Sequence, residues 1–536
     1  MAQSQPAQAA LKIPRGRTSD GRIDYLVLSF RQLDAEVDAW CRHLIAKGVR
    51  RGDRTLVMVR QGLPLIASVF ALFKLGAVPV VIDPGMGLRT FLRCVRHAQP
   101  RALVGIPLAL VISRLAWQSF RTVGVRVGAS SSLTGRRTAV GAEPGGVVPA
   151  ELAATAPSEL AAILFTSGST GAPKGVCYTH GMFDSQVELI RTVYGIVPGE
   201  VDLPLLPIFA LFNPALGMTT IVPEIDPRHP ARVDPAKIIQ AVNQEQVTNS
   251  FGSPTLWRKI AEHAQRHRLS LPSVRRVLCA GAPVPPALWE ASRNLLPYGE
   301  LHSPYGATEA LPVSSIGAQE VLSETAAATL AGAGTCVGRP VPGVEVRIIP
   351  VTDVAIPSEA VMQACATGTI GEIVVRGPNV TQAYDALPEA TARAKIPSAG
   401  GPGEGLWHRL GDCGYLDELG RLWFCGRKAE RVETASGPLY TEQVEPMINQ
   451  HPAVRRSALV GVGRAGHQSP WMVVEVAEGI RPDQALVRDL ENHARRHPLT
   501  ARIEGFRFHP AFPVDVRHNA KIHRLTLARW VETTPV

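Results

Sequence analysis

Arg54-Thr-Leu-Val-Met-Val59 and Val78-Pro-Val-Val-Ile82 are short, apolar and rich in β-branched side chains, and Pro64 to Leu75 between them has the composition of a buried helix. Strand, helix and strand at this spacing read as a βαβ unit, which implies a largely parallel sheet covered by helices. Farther along, Ser273-Val-Arg-Arg-Val-Leu-Cys279 and Gly371-Glu-Ile-Val-Val-Arg376 repeat the strand pattern and Pro286 to Leu295 repeats the helix. The Ala/Gly/Ser/Pro-rich tract from Gly128 to Pro157 reads as a loop or inserted connection. The expected fold class is α/β, a large N-terminal domain of parallel-rich sheets covered by helices plus a small C-terminal α/β domain. The boundary falls where the strand-like Arg421-Leu-Trp-Phe-Cys425 runs into Gly426-Arg427-Lys428 and a charged segment, so residues 1–426 and 427–536 are the expected units.

At 536 residues the chain exceeds what one hydrophobic core usually organises. Hydrophobic residues supply 45% and charged residues 19%, a globular balance that excludes wholesale disorder. The net charge of +10 favours an anionic ligand, surface or partner. From Gly85 to Val140 there are nine arginines (Arg89, Arg93, Arg96, Arg101, Arg114, Arg121, Arg126, Arg136, Arg137) and no Asp or Glu. That stretch reads as a solvated face, or as a docking patch for an acidic protein or an anionic membrane. No zinc-finger, RNP-type or helix-turn-helix signature accompanies it, so nucleic acid is not an expected partner. Eight scattered cysteines without a CxxC pair argue against a metal cluster or a disulfide framework. Met1 to Asp20 holds no apolar run of signal-peptide length, and the apolar stretch Leu56 to Asp83 is interrupted by Arg60, Gln61, Pro64 and Lys74, short of the ~20 residues that span a bilayer. A cytoplasmic location without a transmembrane segment is expected, with peripheral membrane contact left open.

Leu160 to Phe165 reads as an apolar strand, and Thr166-Ser167-Gly168-Ser169-Thr170-Gly171-Ala172-Pro173-Lys174-Gly175 follows it. Glycines let backbone N–H groups turn toward an anion, hydroxyls add donors and Lys174 adds positive charge, a combination suited to a polyphosphate. It is not a Walker A loop, because Gly168 and Gly171 are three apart and Lys174 is followed by Gly175.

This ordered string resembles the adenylate-forming superfamily, which includes acyl-CoA synthetases, adenylation domains of peptide synthetases and beetle luciferases. The resemblance implies ATP and Mg²⁺ as cofactors, with the loop from Thr166 to Gly171 and Lys174 on the β- and γ-phosphates. Tyr305-Gly306-Ala307-Thr308-Glu309 is similar to the superfamily's second motif. By that resemblance Tyr305 stacks on adenine, Thr308 meets the α-phosphate and Glu309 holds Mg²⁺, and the residue chemistry agrees, an aromatic face for a base and a carboxylate for a hard cation. Gly281, Ala282 and Pro283 resemble the loop over adenine's other face, and Ser303 stands where many relatives read the adenine amino group with Asn or Asp. Asp412, in Arg409-Leu410-Gly411-Asp412, matches the carboxylate that accepts from both ribose hydroxyls, and Arg427 matches an arginine reaching the ribose or α-phosphate. Arg517-His518-Asn519-Ala520-Lys521-Ile522 resembles the segment whose lysine enters the cleft during adenylation, so Lys521 takes that role. The resemblance also implies that the small C-terminal domain is mobile, swinging after adenylation about a hinge at Ala429, where Asp or Lys is usual.

Phe209, Ala210 and Phe212 occupy a motif that often places an aromatic residue and a His at the acyl pocket, and with Leu211, Leu216 and Met218 they imply an apolar site. Where acyl-CoA synthetases carry Lys-x-x-Gly after the hinge, this chain has Glu433-Thr434-Ala435-Ser436-Gly437. Pro207 to Phe212, Tyr305 to Pro312 and Arg517 to His523 resemble the β-lactone synthetases of bacterial long-chain olefin biosynthesis. That implies a 2-alkyl-3-hydroxy (3-hydroxy fatty acid) substrate, activation as acyl-AMP, ring closure to a β-lactone, and assembly with other olefin-pathway enzymes. The competing readings are a fatty acyl-CoA synthetase and a non-catalytic nucleotide-binding scaffold.

Overall fold

The computed structural model describes residues 1–129, 152–166, 173–226, 232–399, 405–514 and 521–534. The βαβ unit read at the outset forms: strand Arg54–Met58, helix Leu63–Lys74 and strand Val78–Ile82. They build a six-stranded sheet in the order Val125–Gly128, Ala102–Gly105, Arg54–Met58, Val78–Ile82, Leu160–Thr166, Lys174–Thr179. All its pairs are parallel except the last, a hairpin that sets Thr166 opposite Lys174. The expected loop tract is described only outside 130–151, and residues 152–157 carry no helix or strand.

Helix Phe30–Ala46 begins at Ser29, whose hydroxyl accepts from the Gln32 backbone while the Gln32 side chain returns a bond to the cap. That reciprocal cap satisfies two otherwise orphaned groups. Its buried face of Leu33, Val37, Trp40, Cys41 and Leu44 packs with Ile66, Val69 and Leu72 of helix Leu63–Lys74.

A second, nine-stranded sheet runs Arg339–Pro340, Ala310–Gly317, Glu300–Ala307, Arg276–Cys279, Asn249–Gly252, Val201–Asp202, Thr219–Ile221, Ala9–Arg17, Ile23–Ser29. Its centre is parallel; one end is the antiparallel hairpin Ala9–Arg17/Ile23–Ser29, and at the other Ala310–Gly317 pairs antiparallel with both its neighbours. The expected helix Pro286–Leu295 packs Leu288, Trp289 and Leu295 into this sheet's core.

Gly371–Arg376 is a strand with the expected bounds, but not in a parallel sheet: it pairs antiparallel with Glu345–Ile349 and Leu406–Leu416. The cause is the connection from Ile349 to Gly371, which holds a single 3-10 turn, Glu359–Val361, where a parallel return needs a crossover helix. Arg409 on Leu406–Leu416 and Glu372 are both buried, 2.7 Å apart. Removing one partner from such a pair costs about 3–5 kcal/mol.

Beyond Arg427 lie the hairpin Val432–Thr434/Gly437–Leu439, a three-stranded sheet of Val454–Val462, Ser469–Val476 and Gly505–Phe508, and helices Thr441–Ile448, Gln484–Ala494 and Arg524–Thr533. Two hydrophobic clusters there, one around Leu459, Met472 and Leu490 and one around Val460, Val473 and Leu527, draw all their buried members from residues after 431. No helix among the described residues is long and apolar enough to cross a membrane.

Candidate active site

The parallel strands of both large sheets point their carboxyl ends at one cleft of about 3870 Å³. Ligands of open α/β sheets bind at such strand ends. Arg276–Cys279 ends in Ala280 and the lining residues Gly281, Ala282 and Pro283; Glu300–Ala307 supplies Ser303, Tyr305 and Gly306; and Lys174, Thr308, Glu309, Asp412, Arg427 and Lys521 line the same space. Residues from Lys174 to Lys521, far apart in sequence, are therefore gathered around one cavity. Ser167, Gly168, Ser169, Thr170 and Gly171 lie outside the described residues, and of Thr166 only the backbone register opposite Lys174 is described.

Asp412 is 4% exposed. The Tyr305 hydroxyl donates to its Oδ2 at 2.6 Å, and Arg427 Nη1 lies 2.8 Å from Oδ1. No donor hydrogen is aimed along the Arg427 line, so Oδ1 accepts no hydrogen bond from the described residues. Burial pushes the Asp412 carboxyl above its usual range, while the charges of Arg427 and Lys521 and the Tyr305 bond pull it back. The result is a fixed carboxylate with one oxygen committed and the other an acceptor on a cleft wall. Lys521 is near enough to act on it electrostatically, and Ile522 anchors that segment by a bridge to Val514.

Thr308 and Glu309 form the two-residue tip of the hairpin between Glu300–Ala307 and Ala310–Gly317, where Ala307 pairs with Ala310. Gly306 is required just before the tip, because a Cβ there would sit 2.4 Å from the Ala310 carbonyl oxygen. The tip is held from three sides: the Tyr178 hydroxyl donates to the Thr308 carbonyl, the Thr381 amide to the Glu309 carbonyl at 2.9 Å, and the Tyr384 hydroxyl to Glu309 Oε1 at 2.8 Å. Lys174 Nζ stands 4.6 Å over the Tyr384 ring, a cation–π contact that brings the lysine beside the carboxylate. Asp385, next in chain, is clamped by Arg54 at 2.7 Å and ties this segment to the first sheet.

The other end of the cleft is apolar. Phe209, in the middle of the 3-10 turn Pro207–Leu211, and Phe212, just after it, line it with Leu211, and Phe209 stacks on Phe251 with ring centroids 3.5 Å apart. Ala210 does not belong to this surface. The turn sends positions 209 and 212 to one side and Ala210 to the other, where it is buried in the cluster of Leu11, Leu33 and Leu63. Leu216 and Met218 likewise pack inward with Tyr194 and Ile196. Leu65, Phe70, Phe73 and Phe183 supply the lining instead.

The AMP-binding enzyme family matches residues 2–385, from the first strand through the Tyr384–Asp385 segment. The chain belongs to the AMP-binding enzymes. It is 48% identical to the olefin beta-lactone synthetase of Xanthomonas campestris pv. campestris over 538 residues, covering 99% of this chain and 96% of that protein. It is equally similar, 48% over 539 residues with the same coverage, to the olefin beta-lactone synthetase of Stenotrophomonas maltophilia. Among solved structures, the o-succinylbenzoate coenzyme A synthetase of Bacillus subtilis in complex with ATP and magnesium ion superposes with a TM-score of 0.76 at 22% identity, covering 98% of each chain.

Four groups in or near this AMP-binding enzyme's cleft were not marked by any motif. Tyr384 and Tyr178 carry no spacing signal; their roles arise from hydroxyls reaching a hairpin tip far away in sequence. Lys395, buried on the short strand Lys395–Pro397, donates to the Thr381 carbonyl and hydroxyl, and burial lowers its ammonium to about 7 despite Glu309 pulling the other way. His408 beside it is driven well below the usual imidazole range by burial and by the charge of Lys395. Glu433, at the position of the Lys in Lys-x-x-Gly, is paired with Arg431 and its amide donates to Gln468 at 2.9 Å.

Proposed function

We propose that this chain uses ATP to activate a 2-alkyl-3-hydroxy long-chain fatty acid as its acyl-AMP, and then lets the substrate's own 3-hydroxyl close on the carbonyl to form a β-lactone. The observation that carries this reading is the 48% identity, over nearly the whole of both chains, to two proteins named olefin beta-lactone synthetase.

The site's residues fit ATP and Mg²⁺. Asp412 Oδ1, buried and without a hydrogen bond, is an acceptor suited to ribose hydroxyls. Glu309 spends one oxygen on Tyr384, and no group of three or more metal-ligating side chains occurs among the described residues. One carboxylate plus substrate phosphates is how Mg²⁺ is usually held. When bound there, the ion would neutralise phosphate charge. The relative with ATP and magnesium supports the same pair.

In the proposed first step a carboxylate oxygen of the acid bonds to the α-phosphorus and the bond to pyrophosphate breaks. The chain's part is placement and charge neutralisation. Tyr305 and the Gly281 to Pro283 loop would flank adenine, Asp412 and Arg427 would fix the ribose side, Thr308 would meet the α-phosphate, Lys521 would offset charge at the reacting carboxylate, and Lys174 with the Thr166 to Gly171 loop would steady the pyrophosphate. In the second step the 3-hydroxyl oxygen bonds to the acyl carbon, AMP leaves with the mixed-anhydride electrons, and the hydroxyl proton passes to solvent. Phe209, Phe212 and Phe251 suit alkyl chains. An internal nucleophile also accounts for Glu433, which is engaged by Arg431 where a thioester-forming relative would carry lysine. The division at 426/427, with residues 427–536 as a mobile unit bearing Lys521, is supported by the separate clusters beyond residue 431.

Incubation with ATP, Mg²⁺ and a 3-hydroxy-2-alkyl acid should release pyrophosphate and AMP and give the lactone by mass spectrometry without CoA. Strict CoA dependence with an acyl-CoA product would replace this reading with a fatty acyl-CoA synthetase. No ATP–pyrophosphate exchange with any acid would leave a nucleotide-binding scaffold.

A further inference from the structure

Helix Pro107–Leu115 turns one apolar face to solvent. Leu108, Val111 and Leu115, at i, i+3 and i+7, are 61%, 48% and 79% exposed, and Trp117 just beyond is 65% exposed. Single exposed apolar residues are ordinary, but an aligned row of them marks an interaction surface. The neighbouring helix Leu88–Ala98 packs into the same hydrophobic cluster: its Phe91, Cys94 and Val95 meet Leu110 and Ile112. Its outer face carries Arg89, Arg93 and Arg96, again at i, i+4 and i+7, all exposed, while Arg114 and Arg121 flank Trp117 in sequence. None of these five arginines meets a carboxylate among the described residues, in contrast to Arg101, bound to Asp53 at 2.8 Å, and Arg126, bound to Ser113 at 2.9 Å.

The same place is continuous with the cleft. Leu108, exposed as it is, also lines the cavity together with Ile106, Ala109, Ile112 and Arg93.

We propose that this face docks on an anionic lipid bilayer and that the apolar end of the cleft opens there. A bilayer surface presents anionic headgroups over hydrocarbon, and its binders combine an apolar helix face, a tryptophan at the boundary and arginines of one sign. Protein interfaces have a polar rim without a single sign of charge; here every formally charged side chain from Leu88 to Ala129 is an arginine. An amphiphilic acid dissolved in the bilayer would then enter a cavity whose mouth is already apolar. Docking itself does not depend on which acid the cleft activates, so it is read without substrate.

The test is flotation of the full chain with phosphatidylcholine vesicles and with vesicles containing phosphatidylglycerol. The wild-type chain should float with the anionic vesicles, and less at high salt. The Leu115→Asp/Trp117→Asp variant, altered only at exposed side chains outside the cleft lining, should bind at least about tenfold more weakly. Its ATP–pyrophosphate exchange on detergent-dispersed acid should stay unchanged. Arg89→Glu/Arg96→Glu should abolish the preference for phosphatidylglycerol. Failure of the wild type to float, binding only to a soluble acidic polypeptide such as polyglutamate, or a double variant that floats like the wild type would each overturn the proposal. Loss of exchange in all chains, with docking intact, would instead count against the proposed reaction alone.

Discussion

Tyr305→Phe removes one hydroxyl and keeps the ring, so it isolates what that hydroxyl does for Asp412. The bond is 2.6 Å long and its acceptor is a carboxylate 4% exposed. A hydrogen bond to a charged group contributes about 1.5–3 kcal/mol, and this one favours only the charged form of Asp412. At about 1.36 kcal/mol per pKa unit, its loss raises the Asp412 pKa by about 1–2 units. Arg427 still stands 2.8 Å from the other oxygen, so the lower end, about one unit, is the expected shift. The direction adds to what burial already does, since Asp412 lies above the usual carboxylate range. Protonation converts an acceptor oxygen into a donor and spoils it for the proposed contact with ribose hydroxyls. The acid limb of the pH profile for ATP–pyrophosphate exchange, followed as kcat/KM for ATP, should therefore move about one unit toward higher pH, with little change on the alkaline plateau. The stability sign follows the same linkage. A carboxyl raised in the folded state contributes stability that is present below its unfolded pKa and lost as pH rises through the folded value, so the variant should lose more melting temperature than the wild type between acid and neutral pH. An acid limb that coincides with the wild type, or a uniform loss at every pH, would refute the assignment of Tyr305 as the group that holds Asp412 ionised.

Gly306→Ala places a Cβ against the Ala310 carbonyl, so the tip bearing Thr308 and Glu309 must shift. Exchange should fall by about a hundredfold, the scale of a 1 Å misplacement, with far-UV circular dichroism unchanged; activity within a few fold of wild type would count against the tip's role. Burial and the charge of Glu445 raise the Glu442 carboxyl to about 7, and its Oε2 accepts from Thr335 at 2.9 Å. The wild type should accordingly lose melting temperature from pH 6 to pH 8 as that proton leaves, whereas Glu442→Gln should lose less; parallel pH profiles for the two chains would sink this account.

The parts of the fold legible in sequence are those where burial leaves a composition signature. Arg54–Met58 and Val78–Ile82 lie between helical layers, so both faces are apolar and the run announces itself. Gly371–Arg376 has the same composition for a different reason, since it is buried between two antiparallel neighbours, Glu345–Ile349 and Leu406–Leu416, and composition alone does not carry strand direction. In the cleft, Tyr305, Glu309, Asp412 and Lys521 were marked by local strings, but the Tyr305–Asp412 bond spans 107 positions and no string encodes it. Ala210 was assigned by neighbourhood with Phe209, and one turn of 3-10 geometry reversed its direction. Tyr384 and Lys395 work through backbone segments that only the folded sheet edge brings together.

Three residues from Lys521, which lines the cleft, lies a buried charge cluster. Arg524 is gripped by Glu445 at 2.7 and 2.6 Å and by Glu430 at 3.0 Å, and Glu430 immediately follows Ala429. Glu430 and Glu445 bond this guanidinium and Glu442 acts on it by charge, while burial and the neighbouring carboxylates raise the Glu430 and Glu442 carboxyls. Breaking such a buried pair costs about 3–5 kcal/mol. All of these groups belong to the proposed small unit, so a swing that withdraws Lys521 carries them together. The bonds from helix Thr441–Ile448 and the residues just after it across to the large unit are of another kind: Thr335 to Glu442, Gln443 to the Gly332 carbonyl at 3.0 Å and Gln450 to the Leu330 carbonyl at 2.8 Å. Such bonds contribute about 1 kcal/mol each when neutral, and about 1.5–3 kcal/mol where, as at Glu442, the acceptor can be ionised. On the proposed swing about Ala429, the charge cluster holds the Lys521 segment to Glu430, and the weaker bonds to the large unit are the ones that open.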